Sequence, residues 1–219
     1  MKSGVVVGAT GNIGKALQKS LMESYILDPL WLGDSRPRVQ NENAFDLIPN
    51  QTNLGIYAAG INVVKPLENM SNSDWDSVFE INVTAAFRFA KAMERKFPDD
   101  GSGVLVFISS IMSTHPYPNR LAYASSKGAI ESLTKALAVE ANGKFSTFGI
   151  RLGHIDALMS TTKTNPKLLE KVKSLSPGNE LTQPQEVADL IRDLIPHARL
   201  INGAIIDADR GYTINRWPL

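Results

Sequence analysis

Three valines, Val5–Val7, run directly into Gly8-Ala-Thr-Gly11-Asn-Ile-Gly14, and an amphipathic stretch follows. A short apolar run that ends in spaced glycines and opens a helix constrains the fold strongly. The glycines permit a tight turn and let the backbone approach a ligand closely. The free N–H groups at the start of the helix favour negative charge, so a pyrophosphate suits the turn. Gly8, Thr10, Gly11, Asn12, Ile13 and Gly14 are therefore candidate dinucleotide contacts. Asp34 stands 20 residues beyond Gly14, at the end of the next predicted strand, where a carboxylate accepts hydrogen bonds from a ribose diol. Arg36, with Arg38 behind it, offers a partner for a 2′-phosphate instead. The position of Asp34 leans toward NAD, and Arg36 keeps NADP open.

The rest of the chain repeats the pattern. Strands are predicted at Gly4–Gly8, Leu30–Asp34, Leu54–Ala58, Val104–Ser109, Phe145–Leu152 and Ala204–Asp207. Helices are predicted at Asn12–Ser24, Trp75–Phe97 and Tyr123–Ala141, and from Pro184 to Ile195. Strands alternating with helices imply βαβ units, hence an α/β fold with a doubly wound parallel sheet in three αβα layers. Residues 1–219 are expected to form one domain, since no linker or repeat divides them. Only seven residues separate Asp46 from Leu54, fewer than a crossover helix needs. Either the 41–46 segment is not a parallel neighbour of the 54–58 strand, or one helix is reduced to a loop.

Composition excludes several classes of function. Lys+Arg 23 against Asp+Glu 22 leaves a net charge of +1, so no basic footprint for nucleic acid or anionic membrane is expected. Without cysteine there is no disulfide, thiolate metal ligand or thiol nucleophile. The three histidines show no metal-ligand spacing, and no metal site is expected. No apolar run reaches the ~20 residues of a membrane span. The valine run at the N-terminus is too short for a secretion signal, so the expected location is the cytoplasm.

Two further elements carry chemistry. Tyr123 and Lys127 lie four residues apart on a predicted helix and so share a face. An ammonium near a phenol stabilises phenolate, which suits the tyrosine to exchange a proton with a carbonyl oxygen or an alcohol. Ser109-Ser110 ends a predicted strand, on the side where open α/β sheets bind their ligands.

Taken together these motifs resemble the short-chain dehydrogenase/reductase family in its single-domain form, with a Rossmann-like fold. Ser110 stands 13 residues before Tyr123, as in that family. Tyr57-Ala58-Ala59-Gly60 is similar to its cofactor-side strand end, and Asp74-Trp75 through Ile81-Asn82-Val83 to the helix that carries its asparagine. Phe45-Asp46-Leu47 is similar to its adenine-side segment. Gly149-Ile-Arg-Leu-Gly-His-Ile155-Asp is similar to the segment that closes over nicotinamide.

The resemblance implies an NAD(P)-dependent oxidoreductase that interconverts a carbonyl and a secondary alcohol. Its implied catalytic set is Tyr123 as general acid/base, Lys127 tuning it, Ser110 polarising the substrate carbonyl, and Asn82 supporting a proton relay. The implied cofactor contacts add Asp46, Leu47, Ala58, Ala59, Gly60, Tyr123, Lys127 and Ile155. A substrate lid over residues 157–179 and a homodimer or homotetramer are also implied, with a small-molecule carbonyl or alcohol as substrate. The chain departs from the family in Tyr57-Ala58, Leu152-Gly153 and Asn12, and Tyr57-Ala58 is expected to weaken the support around the cofactor. Two other readings stay open: a non-catalytic dinucleotide sensor or scaffold on the same fold, and an epimerase or dehydratase working through a transient ketone.

Overall fold

The computed structural model describes residues 1–27, 39, 41, 43–156 and 166–215. Six parallel strands form one sheet: β1 (Lys2–Val7), β2 (Tyr25–Leu27), β3 (Leu54–Tyr57), β4 (Gly103–Ser110), β5 (Phe145–Leu152) and β6 (Ile205–Ala208). Their order is β2-β1-β3-β4-β5-β6. From β1 the chain goes to β2 on one side, then returns to β3 on the other. That reversal opens a crevice beyond the carboxyl ends of β1 and β3, the usual ligand position in such sheets.

Alternation along the strands divides the core. Val5 and Val7 face one side with Leu105, Phe107, Phe89 and Met93, all buried. Val6, Ile56, Val106, Phe148 and Ile150 face the other, against Leu17 and Leu21 of α1 (Asn12–Leu21). Successive side chains of a strand point to opposite faces, so near-continuous apolar strands need helices on both faces. α3 (Ala85–Lys96) and α4 (Leu121–Glu140) cover one side, and α2 (Asn72–Phe79) packs against α4. α6 (Pro184–Leu194) joins α1 on the other, and α5 (Pro166–Ser174) precedes it.

One helix end is corrected, and one strand appears that was not expected. α1 ends at Leu21, not Ser24, and the chain enters β2 at Tyr25. β2 is a three-residue edge strand in register with Lys2–Gly4, too short and too exposed at Ile26 to leave a pattern. The strand expected at Leu30–Asp34 lies outside the described residues.

Residues 43–48 form turns, not a helix or strand, and β3 pairs directly with β1 and β4. Ala44, Phe45 and Ile48 from these turns are buried in the core. The Phe45 ring sits 5.3 Å from that of Phe89, so a turn segment supplies apolar filling here.

The helix expected over 75–97 is interrupted. α2 begins at Asn72 under a Ser71–Asp74 capping box, and Trp75 stacks on Phe79 at 4.5 Å. Residues Glu80–Thr84 then make a π-helical turn before α3. Widening a helix by one residue per turn displaces side chains from their normal stagger, and such turns recur at functional sites. Here the displaced residue is Asn82.

Candidate active site

β4 delivers Ser109 and Ser110 to the carboxyl edge of the sheet with opposite orientations. Ser109 is buried, and its hydroxyl donates to Oε1 of Glu131 at 2.8 Å. Ser110 faces a cavity of about 550 Å³ that runs across the ends of β3, β4 and β5. Its hydroxyl accepts the Met112 N–H at 3.3 Å, which holds the side chain as the strand turns away.

Across the cavity, α4 presents Tyr123 and Lys127 on one face. Lys127 is buried, and its ammonium donates to the Ile108 carbonyl at 2.8 Å while lying 5.5 Å from the centre of the Tyr123 ring. Burial disfavours the charged form and pulls the lysine down to about 8, against the opposing pull of the Glu131 charge. Burial also pushes the Tyr123 phenol above its ordinary value, while a hydrogen bond with Ser110 and the Arg120 charge pull it back. In the protein alone, the phenol is therefore protonated at neutral pH and the ammonium stands beside it.

Asn82, from the π-turn, ties three elements together. Its Oδ1 accepts the Ile61 N–H at 2.8 Å, and its Nδ2 donates to the Ile61 carbonyl at 3.0 Å and to Ser126 Oγ at 2.9 Å. A Cβ on Gly60 would lie 3.3 Å from Asn82 Oδ1 and 3.6 Å from Lys127 Nζ. Asn82 and Lys127 thus approach each other around a residue that has no side chain.

Tyr57 corrects an expectation. Its hydroxyl donates to the carbonyl of Ile81 at 2.5 Å, binding the end of β3 to the π-turn. Burial, then the nearby Glu80 charge, pushes this phenol up, so it remains a donor. The Tyr57-Ala58 departure therefore substitutes one anchor for another on the cofactor side of the sheet.

The glycine turn fits a dinucleotide. Gly8 has φ +89, and a Cβ there would meet Ala59 N at 2.6 Å. A Cβ on Gly14 would fall 2.2 Å from the Gly8 carbonyl oxygen, so α1 packs as closely on the turn as backbone permits. Gly11 is the N-cap of α1 with no side-chain cap, which leaves the first N–H groups of the helix free for an anion.

Of the expected site residues, Ile13, Ala58, Ala59, Gly60, Ser110, Tyr123, Lys127 and Ile155 line one cavity. Gly8, Thr10, Gly11, Asn12 and Gly14 form the turn beside it, and Asn82 is buried behind it. Asp46 and Leu47 sit on the surface, Asp46 at 4.0 Å from Arg95. Asp34, Arg36 and residues 157–165 of the expected lid lie outside the described residues. His115 is exposed and hydrogen-bonds Thr114 Oγ1 at 3.0 Å.

The sequence reading missed the far wall. His154 Nε2 and the Tyr117 hydroxyl are 2.9 Å apart, Tyr117 also hydrogen-bonds the Tyr212 hydroxyl, and Arg120 stands near Tyr123. These partners come from segments distant in sequence; the place of Arg120, just ahead of the Tyr123 helix, and that of His154, inside the segment similar to the one that closes over nicotinamide, offered the signals.

A family model described as Enoyl-(Acyl carrier protein) reductase matches residues 48–213. The chain belongs to the short-chain dehydrogenase/reductase family. It is 32% identical over 164 residues to a cyclopentanol dehydrogenase of Comamonas testosteroni, covering 72% of this chain and 64% of that protein. It is 30% identical over 165 residues to a D-threitol dehydrogenase of Mycolicibacterium smegmatis, covering 73% and 62%. The chain thus spans under two thirds of the length of these relatives. A short chain dehydrogenase family protein from Francisella tularensis shares the fold, with TM-score 0.86 at 22% identity over 98% of this chain and all (100%) of that one. Angucycline C-6 ketoreductase LanV, solved with bound NADP, gives 0.85 at 21% identity over 98% and 96%. The fold is one that binds NAD or NADP. No described helix is long and apolar enough to cross a membrane.

Proposed function

We propose that this chain is an NAD(P)-dependent oxidoreductase that interconverts a carbonyl and a secondary alcohol, with Tyr123 as its general acid/base. One observation carries the reading. The Tyr123 phenol and the Ser110 hydroxyl line the same cavity, which also holds Lys127 and borders the glycine turn. A dinucleotide bound at that turn supplies or accepts the hydride.

The chain's own residues do the rest. Ser110 and Tyr123 together donate to one substrate oxygen, which orients the carbonyl and stabilises the charge that develops on it. Tyr123 transfers its proton to that oxygen in reduction and takes it back in oxidation. The Lys127 ammonium stabilises the phenolate left behind. Asn82 is a positioning residue that fixes the 58–61 segment against α4 through Ser126. Met112, Leu152, Ile155 and Val172 give the cavity an apolar lining that excludes water.

NAD is the favoured cofactor from the position of Asp34, with Arg36 as the competing signal for NADP. The segment 157–179 is read as a substrate cover, which the contribution of Val172 to the cavity supports. Assembly as a homodimer or homotetramer is supported by the exposed Phe87 and Val139 on α3 and α4.

Replacing Tyr123 with Phe tests the reading. Turnover falls by about 10²–10⁴-fold with any carbonyl substrate, because proton transfer is lost, while binding of NADH or NADPH by calorimetry persists. A Tyr123→Phe protein with full activity sinks the assignment.

A further inference from the structure

Among the described residues, Arg120 is the one arginine whose guanidinium makes no hydrogen bond or ion pair. Arg88 holds Glu80 at 2.5 Å, Arg151 holds Glu131 at 2.7 Å and Arg210 holds Glu186 at 2.6 Å. Arg192 pairs with Asp189 at 2.9 Å, and Arg95 stands 4.0 Å from Asp46. Arg199 donates to the Gly101 carbonyl at 3.2 Å. Arg120 is half-buried, and it lines both the catalytic cavity and an adjoining one of about 490 Å³. No aspartate or glutamate is among the described residues lining either. A cation held part-way out of water without a counter-charge is costly, and an anionic ligand would relieve it.

The position of Arg120 says which ligand brings the anion. Along α4, Lys127 is one turn past Tyr123, facing Asn82 and Gly60 on the dinucleotide side. Arg120 is one turn before Tyr123, where Pro116, Asn119 and Leu121 carry the wall away into the second cavity. The anion therefore belongs to the substrate. The neighbouring polar corner of Tyr117, His154 and Tyr212 adds hydrogen bonds but no second charge, because burial holds His154 below its ordinary value and neutral. Lys65, which also lines the second cavity, is already paired with Asp74 at 2.6 Å, so one unpaired cation with neutral hydrogen-bonding neighbours remains, which suits a monoanion, and a guanidinium fits a carboxylate in two-pronged fashion.

We infer that the substrate is a keto acid, or the matching hydroxy acid, whose carboxylate pairs with Arg120 while its carbonyl oxygen meets Tyr123 and Ser110. In reduction the carbonyl carbon gains the hydride of the reduced dinucleotide and the oxygen gains the Tyr123 proton, giving hydroxy acid and oxidised dinucleotide. The inference rests on the oxidoreductase reading above and specifies its substrate class.

The test uses matched pairs: 3-oxobutanoate and 4-oxopentanoate against their methyl esters, with the wild type, Arg120→Met and Arg120→Lys proteins. The expected result is a wild-type preference for the acids, with an Arg120→Met loss of about 10- to 100-fold in kcat/KM for acids, mostly through KM. The esters lose at least tenfold less, Arg120→Lys recovers part of the acid activity, and the NADH-to-NADPH affinity ratio does not move. Wild type that turns over esters as well as acids, or an Arg120→Met loss equal for both, overturns the inference and leaves the oxidoreductase reading standing. An altered NADH-to-NADPH ratio reassigns Arg120 to the cofactor and also overturns it. If neither acids nor esters react, calorimetry with 4-oxopentanoate on cofactor-saturated protein decides. Binding lost in Arg120→Met upholds the anion site while the oxidoreductase reading fails, and no binding overturns the inference.

Discussion

Lys127 Nζ lies 5.5 Å from the centre of the Tyr123 ring and spends one of its protons on the Ile108 carbonyl at 2.8 Å. That bond aims the ammonium without neutralising it. Burial brings its titration down to about 8, so the charge that supports phenolate is present below that pH and absent above it. Carbonyl reduction should therefore run on a plateau through neutral pH and fall as pH rises past about 8. A kcat/KM profile from pH 6 to 10 checks it; Lys127→Met removes the limb and lowers the plateau, and a wild-type profile flat to pH 10 contradicts the assignment. Folding has the opposite sign. Native Lys127, lowered from 10.5 to about 8, binds fewer protons than the unfolded lysine between those values. Its unfavourable contribution, present below pH 8, fades as pH rises through that window.

Glu131 braces the strand end that carries Ser110. Its Oε1 accepts from Ser109 at 2.8 Å and Ser113 at 2.5 Å, and Arg151 binds both its oxygens, at 2.9 and 2.7 Å. Although burial raises it, the bonds from Arg151, Ser113 and Ser109 prevail and hold Glu131 below the ordinary 4.5. Its contribution to stability is then complete above pH 4.5 and lost as pH falls through the lowered native value. Glu131→Ala leaves a largely buried arginine short of its main partner and should cost about 3–5 kcal/mol. Thermal melts from pH 7 to pH 3 should show wild type losing stability on acidification more steeply than Glu131→Gln. Parallel melts of the two would show that the carboxylate does not contribute.

The strand–helix alternation, the glycine turn and the Ser110–Tyr123–Lys127 spacing were all legible, because each depends on local periodicity or a fixed offset along one element. β2 was not, since three half-exposed residues at a sheet edge impose no pattern. The π-turn was hidden because its extra residue changes hydrogen bonding and leaves the apolar spacing of the surrounding helix intact. The role of Tyr57 was not legible either, because its hydroxyl reaches a backbone carbonyl 24 residues away. The Tyr117–His154–Tyr212 corner depends on three loops meeting, which no single stretch of sequence encodes.

Gly14 tests the turn itself. A Cβ at this position meets the Gly8 carbonyl oxygen at 2.2 Å and Ala9 Cα at 2.6 Å, and neither backbone atom can swing aside. Gly14→Ala must push α1 away from the turn, so affinity for NADH and NADPH should fall at least about tenfold, with about 1–3 kcal/mol of overpacking cost. Gly128→Ala is the control, since a Cβ there meets nothing within 4 Å. Calorimetric titration of both variants separates a local clash from general helix damage; equal cofactor affinity in the two would remove the turn from the binding site.

Tyr57→Phe isolates the anchor between β3 and the π-turn. The substitution keeps the ring against Phe89, 5.8 Å away centre to centre, and deletes only the hydroxyl that reaches Ile81. Loss of one buried hydrogen bond should cost about 1 kcal/mol. The adjacent Asn82 would then hold Ile61 and Ser126 from a less constrained turn. The structural effect should therefore come with a functional one: kcat drops several-fold while the pH profile set by Lys127 keeps its shape. Urea unfolding gives the first quantity and steady-state kinetics across pH the second. A stability loss with unchanged kcat would mean that the π-turn holds Asn82 in place without help from β3.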